Sequence, residues 1–140
     1  MPDTVRFNGG EGADLSKGTL IFTTKGDSRV WRYDPVGNSL AIIYDRAVQV
    51  DGVLGGVDNV EVSPAGVIYV AEDGNVTGAD MQIVLVREDG STFPVVQVTG
   101  TTASEITGPA FDPSGTRLYF SSQREPGRTY EVRGNWSKFT

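Results

Sequence analysis

Val60-Glu61-Val62-Ser63-Pro64-Ala65-Gly66-Val67-Ile68-Tyr69 reads as a strand, a Pro/Gly turn and a second apolar strand. The same unit lines up without a gap with Ala13-Asp14-Leu15-Ser16-Lys17-Gly18-Thr19-Leu20-Ile21-Phe22 and with Ala110-Phe111-Asp112-Pro113-Ser114-Gly115-Thr116-Arg117-Leu118-Tyr119. The turn glycines Gly18, Gly66 and Gly115 recur at roughly 48 residues, the period of a four-stranded propeller blade. Three unrelated hairpins of a β-sandwich are the competing explanation. It is disfavoured because the unit returns in register with further strands between the copies.

Working outward, strands are expected at 13–16, 19–24, 29–33 and 39–44, then at 60–63, 67–71, 82–86 and 94–98, then at 109–112, 117–121 and 128–133. Asp34-Pro35-Val36-Gly37-Asn38 and Asp89-Gly90 supply turns between them. No helical period persists over ten residues or more, so the fold class is all-β. The blades span about 11–50, 57–100 and 105–134, the last one strand short. Thr4-Val5-Arg6-Phe7 is a spare strand-like run. Known propeller rings have about four to eight blades, so three cannot close a ring alone: the chain is either part of a longer propeller or half of a six-bladed ring that needs a complement. A homodimer would provide it, with strand 4–7 of each chain completing blade three of its neighbour; a second propeller half is the alternative.

Eighteen Gly and seven Pro in 140 residues fit the many turns. A formal net charge of −6 makes a nucleic-acid partner unexpected. The chain has no Cys and no His, which excludes disulfides, thiolate nucleophiles, Ser-His-Asp triads and Cys/His zinc sites. Any chemistry falls to carboxylates, amides, hydroxyls, Lys or Arg. No membrane span is expected, and Met1-Pro2-Asp3-Thr4 lacks the charged and apolar regions of a signal peptide.

Acidic and amide residues gather at the starts of innermost strands: Glu11-Gly12 in blade one, Asp58-Asn59 in blade two and Glu105 ahead of blade three. Glu72-Asp73 follows the second strand of blade two. Innermost strands begin around one mouth of a propeller's channel, so Glu11, Asp58, Asn59, Glu72, Asp73 and Glu105 are the candidate ligands of a hard cation such as calcium. The alternative reading of each is a turn or capping residue, and that reading is adopted for Asp34, Glu88, Asp89 and Asp112. Arg124 and Arg128, flanking Glu125-Pro126-Gly127, are candidate phosphate contacts, as is Lys25, against the more ordinary reading of each as a solvated surface group. Trp31 and Trp136 are assigned to packing.

These stretches resemble the PhoX family of calcium-dependent bacterial phosphatases, in its C-terminal part. The resemblance is carried by Arg6-Phe7-Asn8-Gly9-Gly10-Glu11-Gly12-Ala13, by Gly26-Asp27-Ser28-Arg29-Val30-Trp31-Arg32-Tyr33-Asp34-Pro35, and by Asp58-Asn59-Val60-Glu61-Val62-Ser63-Pro64-Ala65-Gly66 with Glu72-Asp73-Gly74. Glu105-Ile106-Thr107-Gly108-Pro109, Gln123, Pro126-Gly127 and Gly134-Asn135-Trp136 complete it. It implies a six-bladed propeller holding calcium and iron near the channel and hydrolysing phosphate esters, in periplasmic or secreted proteins. Glu11, Asn59, Glu72 and Glu105 match positions where the family places acidic or amide groups. The chain corresponds to about the last half of a family member and has no Cys for an iron site that uses one. A phosphatase would therefore act only as an assembled ring. A non-catalytic calcium-binding propeller module, and a fragment of a larger propeller, are the competing functions.

Overall fold

The computed structural model describes residues 4–49, 53–74, 80–100, 104–124 and 126–139. Eleven strands among them form three antiparallel sheets. Blade one runs β1 (Gly10–Ser16), β2 (Thr19–Thr24), β3 (Arg29–Asp34) and β4 (Ser39–Asp45) in simple order. Blade two repeats this with β5 (Val57–Val62), β6 (Ile68–Glu72), β7 (Gln82–Val86) and β8 (Thr92–Gln97). Blade three has only β9 (Ile106–Phe111), β10 (Arg117–Ser122) and β11 (Arg128–Arg133), as the strand pattern anticipates. A 3-10 turn, Trp136–Phe139, closes the described chain.

The sheets stack face to face, with β1 against β5 and β5 against β9. Ile21 and Val30 of blade one pack on Val60, Ile68, Val70 and Val84 of blade two. The other face of blade two, Tyr69, Ile83 and Leu85, packs on Ile106, Leu118 and Phe120 of blade three. β6 and β7 are therefore buried along their whole length, which explains why their sequences are nearly continuous apolar runs instead of alternating ones. Trp136 fills the outer seam between these blades, edge-on to Tyr69 at 5.9 Å and to Phe111 at 5.5 Å. A ring of this size contributes about 1 kcal/mol beyond its buried area from such contacts.

The turns differ more than the gapless repeat suggests. Leu15 pairs with Leu20, Val62 with Ile68 and Phe111 with Leu118, so the intervening turn gains one residue in each successive blade. Blade one has the tight hairpin, with Lys17 and Gly18 both at positive φ, 50° and 81°. Because side chains alternate along a strand, these insertions fix which residues share a face: Leu20 and Phe22 correspond to Ile68 and Val70, and to Leu118 and Phe120.

Each innermost strand also carries a register shift near its start, between Gly10 and Ala13, between Val57 and Val60, and opposite Tyr119 and Ser121 in β9. A bulge of this kind re-aims side chains and bends the strand. Gly12 sits on the first one, so close to β5 that a Cβ would lie 2.5 Å from the Val60 nitrogen. Only glycine permits that approach.

The spare run Thr4–Phe7 forms no strand in the single chain. Phe7 instead lies across its own blade one, edge-on to Phe22 at 5.0 Å and to Trp31 at 5.3 Å.

Candidate functional site

The repeated bulges and strand ends build one corner at the start of the innermost strands. After the second strand of each blade, the backbone bonds to the segment entering the first: Lys25 N–H to Gly9 carbonyl (2.7 Å), Asp73 N–H to Gly56 carbonyl (2.9 Å), Gln123 N–H to Glu105 carbonyl (3.0 Å). Lys25, Asp73 and Gln123 are thus structurally equivalent, and so are Gly9, Gly56 and Glu105. Asp58 stands on the β5 bulge beside them, and Asp73 and Glu105 form an isolated antiparallel bridge between blades two and three.

This arrangement brings together three of the six anticipated ligands. One carboxylate oxygen from each of Asp58, Asp73 and Glu105 lies within 4.8 Å of the others. Asp58 and Asp73 are buried, at 6% and 5% exposure, and Glu105 is half-buried. Three carboxylates this close repel unless positive charge sits among them. The protein supplies it: Lys25 Nζ lies 2.9 Å from Asp58 and 2.6 Å from Asp73, and Arg124 reaches Glu105 at 2.9 Å. Burial pulls the Lys25 ammonium down, but hydrogen bonds to Asp73 and Asp58 and their charges outweigh it, so its pKa stands above the ordinary lysine value. Lys25 is positioned by its place directly after β2, and Thr23, two residues earlier, donates its hydroxyl to the Asp58 carbonyl.

The remaining candidates are elsewhere. Asn59 accepts from Thr107 Oγ1 (2.9 Å) and Gly108 N–H (2.7 Å) and donates to Asp58 (2.7 Å), so it joins β5 to β9 while orienting Asp58. Glu72 is wholly buried; Gly55 N–H reaches one of its oxygens at 2.6 Å, and Asp80 and Gln82 N–H reach the other, each at 3.1 Å. It ties two connecting segments to blade two. Burial pushes its carboxyl up, with the three N–H groups opposing. Glu11 is exposed on the β1 bulge, at the margin of a groove on the open face of blade one. Arg124 is engaged by Glu105, whereas Arg128 opens β11 beside a small cavity of about 70 Å³ with Pro126 and Tyr130. The two arginines do not meet at one anion site among these contacts, and Glu125 between them lies outside the described residues.

Sequence reading placed Lys25 among possible anion contacts; the structure pairs it with two carboxylates. It also missed Asp14 and Glu61, whose carboxylates cross between blades. The signal was present, since both are acidic residues in one column of the repeat.

No helix among the described residues is long and apolar enough to cross a membrane. No protein-family model matches the chain, and no curated protein matches it in sequence. Solved structures do match in fold. A chain of a nidogen/laminin complex superposes with a TM-score of 0.68 at 13% identity, covering 89% of this chain and 44% of that one. A luciferin-regenerating enzyme gives 0.65 at 18%, covering 93% and 46%, and a streptogramin B lyase gives 0.58 at 17%, covering 94% and 43%. All three are β-propellers, and this chain spans less than half of each. The chain is an all-β partial propeller of three blades.

Proposed function

We propose that this chain is a propeller module that binds a divalent cation at the channel mouth through Asp58, Asp73 and Glu105. The observation that carries the reading is the approach of those three carboxylates to within 4.8 Å, from two neighbouring blades. Every donor is a carboxylate oxygen, and the chain offers no imidazole or thiolate, so a hard cation of the calcium or magnesium kind suits the set. The reading is supported by Lys25 Nζ, whose positive charge lies between Asp58 and Asp73. A metal ion held by Asp58, Asp73 and Glu105 would replace this ammonium, with Asn59 orienting the Asp58 carboxylate.

The resemblance to PhoX phosphatases extends the reading to phosphomonoester hydrolysis in an assembled ring. A bound cation would polarise a phosphoryl oxygen. Arg124, held beside Glu105, is a guanidinium at this corner that would pair with the phosphate's remaining charge.

Calcium is expected to raise the melting temperature by on the order of 5 °C at saturation, and Asp73→Asn to abolish the rise. A melting curve indifferent to calcium and to chelator contradicts the cation site. Turnover of an aryl phosphate with added metal supports the hydrolase; a rate no greater than blank, with calcium bound, leaves the non-catalytic module.

A further inference from the structure

Blade one turns a large apolar face away from blade two. Cross-strand neighbours Leu20, Tyr33 and Leu40 form one row on it, and Phe22, Trp31 and Ile42 another. Ile42 is 46% exposed and Leu15, on the same face, 67%. With Phe7 laid across it, the face forms a groove of about 740 Å³.

The repeat itself says what covers such a face. Leu20 and Phe22 occupy the register positions of Ile68 and Val70 in blade two and of Leu118 and Phe120 in blade three. Both of those pairs are buried against the trailing face of the preceding blade. The occupant is therefore another blade's trailing face, and blade three presents one: Ala110, Ser121 and Thr129 lie on it together with Arg117, Tyr119, Glu131 and Arg133, which hydrogen-bond through Tyr119–Glu131 and Glu131–Arg133. Ala110, Ser121 and Thr129 are small and leave room for the aromatic rings of blade one.

We propose that a second copy of this chain covers the groove, with blade three of each copy packed on blade one of the other. Three blades per copy then close a ring of six, in keeping with the chain matching 43% to 46% of the length of solved propellers. The contact is heterologous, and the ring closes it after two copies with no sheet face left open. Two-fold symmetry about the channel puts the Asp58–Asp73–Glu105 corners of both copies at the same mouth. Within the chain, successive blades are joined by an Asp14 or Glu61 carboxylate, but the corresponding residue of blade three is Ala110. The junction between copies thus joins the apolar face of blade one to a face of blade three that also carries Arg117, Glu131 and Arg133. It does not depend on the cation site.

Sedimentation of the full chain over roughly 1–100 µM, with and without chelator, tests this. The expected species is a closed dimer of two 15.0 kDa chains. Leu40→Glu in blade one and Ala110→Arg in blade three should each give folded monomers by circular dichroism, while Val36→Glu, on a turn 94% exposed, remains dimeric. If one interface variant fails to fold, the other carries the test. A monomer throughout, an open-ended series of larger species, or a dimer indifferent to both interface variants overturns the proposal. Calcium binding by a monomer would separate its failure from that of the cation site.

Discussion

Asp14 Oδ2 accepts the backbone N–H of Val62 at 2.6 Å, across the seam between blades one and two. One repeat later, Glu61 Oε1 accepts the N–H of Phe111 at 3.1 Å across the next seam. Asp14 and Glu61 are equivalent, as their partners Ile21 and Tyr69 in the adjacent strands indicate. Innermost strands have no strand neighbour toward the channel, so these carboxylates occupy N–H groups that sheet pairing leaves over. Asp14→Ala and Glu61→Ala should each lower stability by about 1–3 kcal/mol, whereas Asp14→Asn and Glu61→Gln, which keep an acceptor oxygen, should lose much less. Chemical denaturation with an unchanged m-value measures both.

Glu61 also sets a pH dependence. Burial raises its carboxyl above the ordinary value, the Phe111 N–H lowers it, and neighbouring Asp14 raises it further. The native state therefore binds this proton at a pH where the unfolded chain has released it. Stability from this group increases as pH falls from the raised native value toward 4.5, and is lost as pH rises through that native value. Wild type should gain on Glu61→Gln on acidification from pH 7 to about 5, as read by paired denaturation curves. A constant difference would contradict the assignment.

Glu72 gives a sharper contrast with its amide. Its two oxygens take three N–H donors in a fully buried site. Glutamine has one acceptor oxygen and places an NH₂ against donors, so Glu72→Gln should destabilise by about 1–3 kcal/mol at pH 7. Faster amide exchange at Gly55 and Gln82 would locate the damage.

Lys25 and an added metal ion compete for the same carboxylates. Lys25→Met should lower the melting temperature without metal, because Asp58 and Asp73 then lose the ammonium they share. Calcium should restore it, with a tighter midpoint than in wild type. Loss without rescue would make the lysine purely structural.

The fold was legible because strand alternation and turn residues recur: the strands expected at 13–16, 60–63 and 109–112 start three residues late, the other eight agree within two residues at each end, and the missing twelfth strand is absent among the described residues. Which face each residue takes was less legible, since turns lengthen from blade to blade and one residue reverses a strand's sides. The candidate site was half legible. Repeat position identified Asp58, Asp73 and Glu105, which stand where strand ends converge. Position alone does not tell a channel-facing carboxylate from Glu72, one residue away and turned into the sheet stack, nor does it reveal that blade one contributes an ammonium where blade two has Asp73.

Native mass spectrometry of the full chain in calcium addresses the central claim directly, because it resolves protein mass and bound metal in one species. The account predicts calcium retained on wild type, lost on Asp73→Asn and increased in affinity on Lys25→Met. Wild type carrying no more calcium than Asp73→Asn at millimolar metal would contradict it.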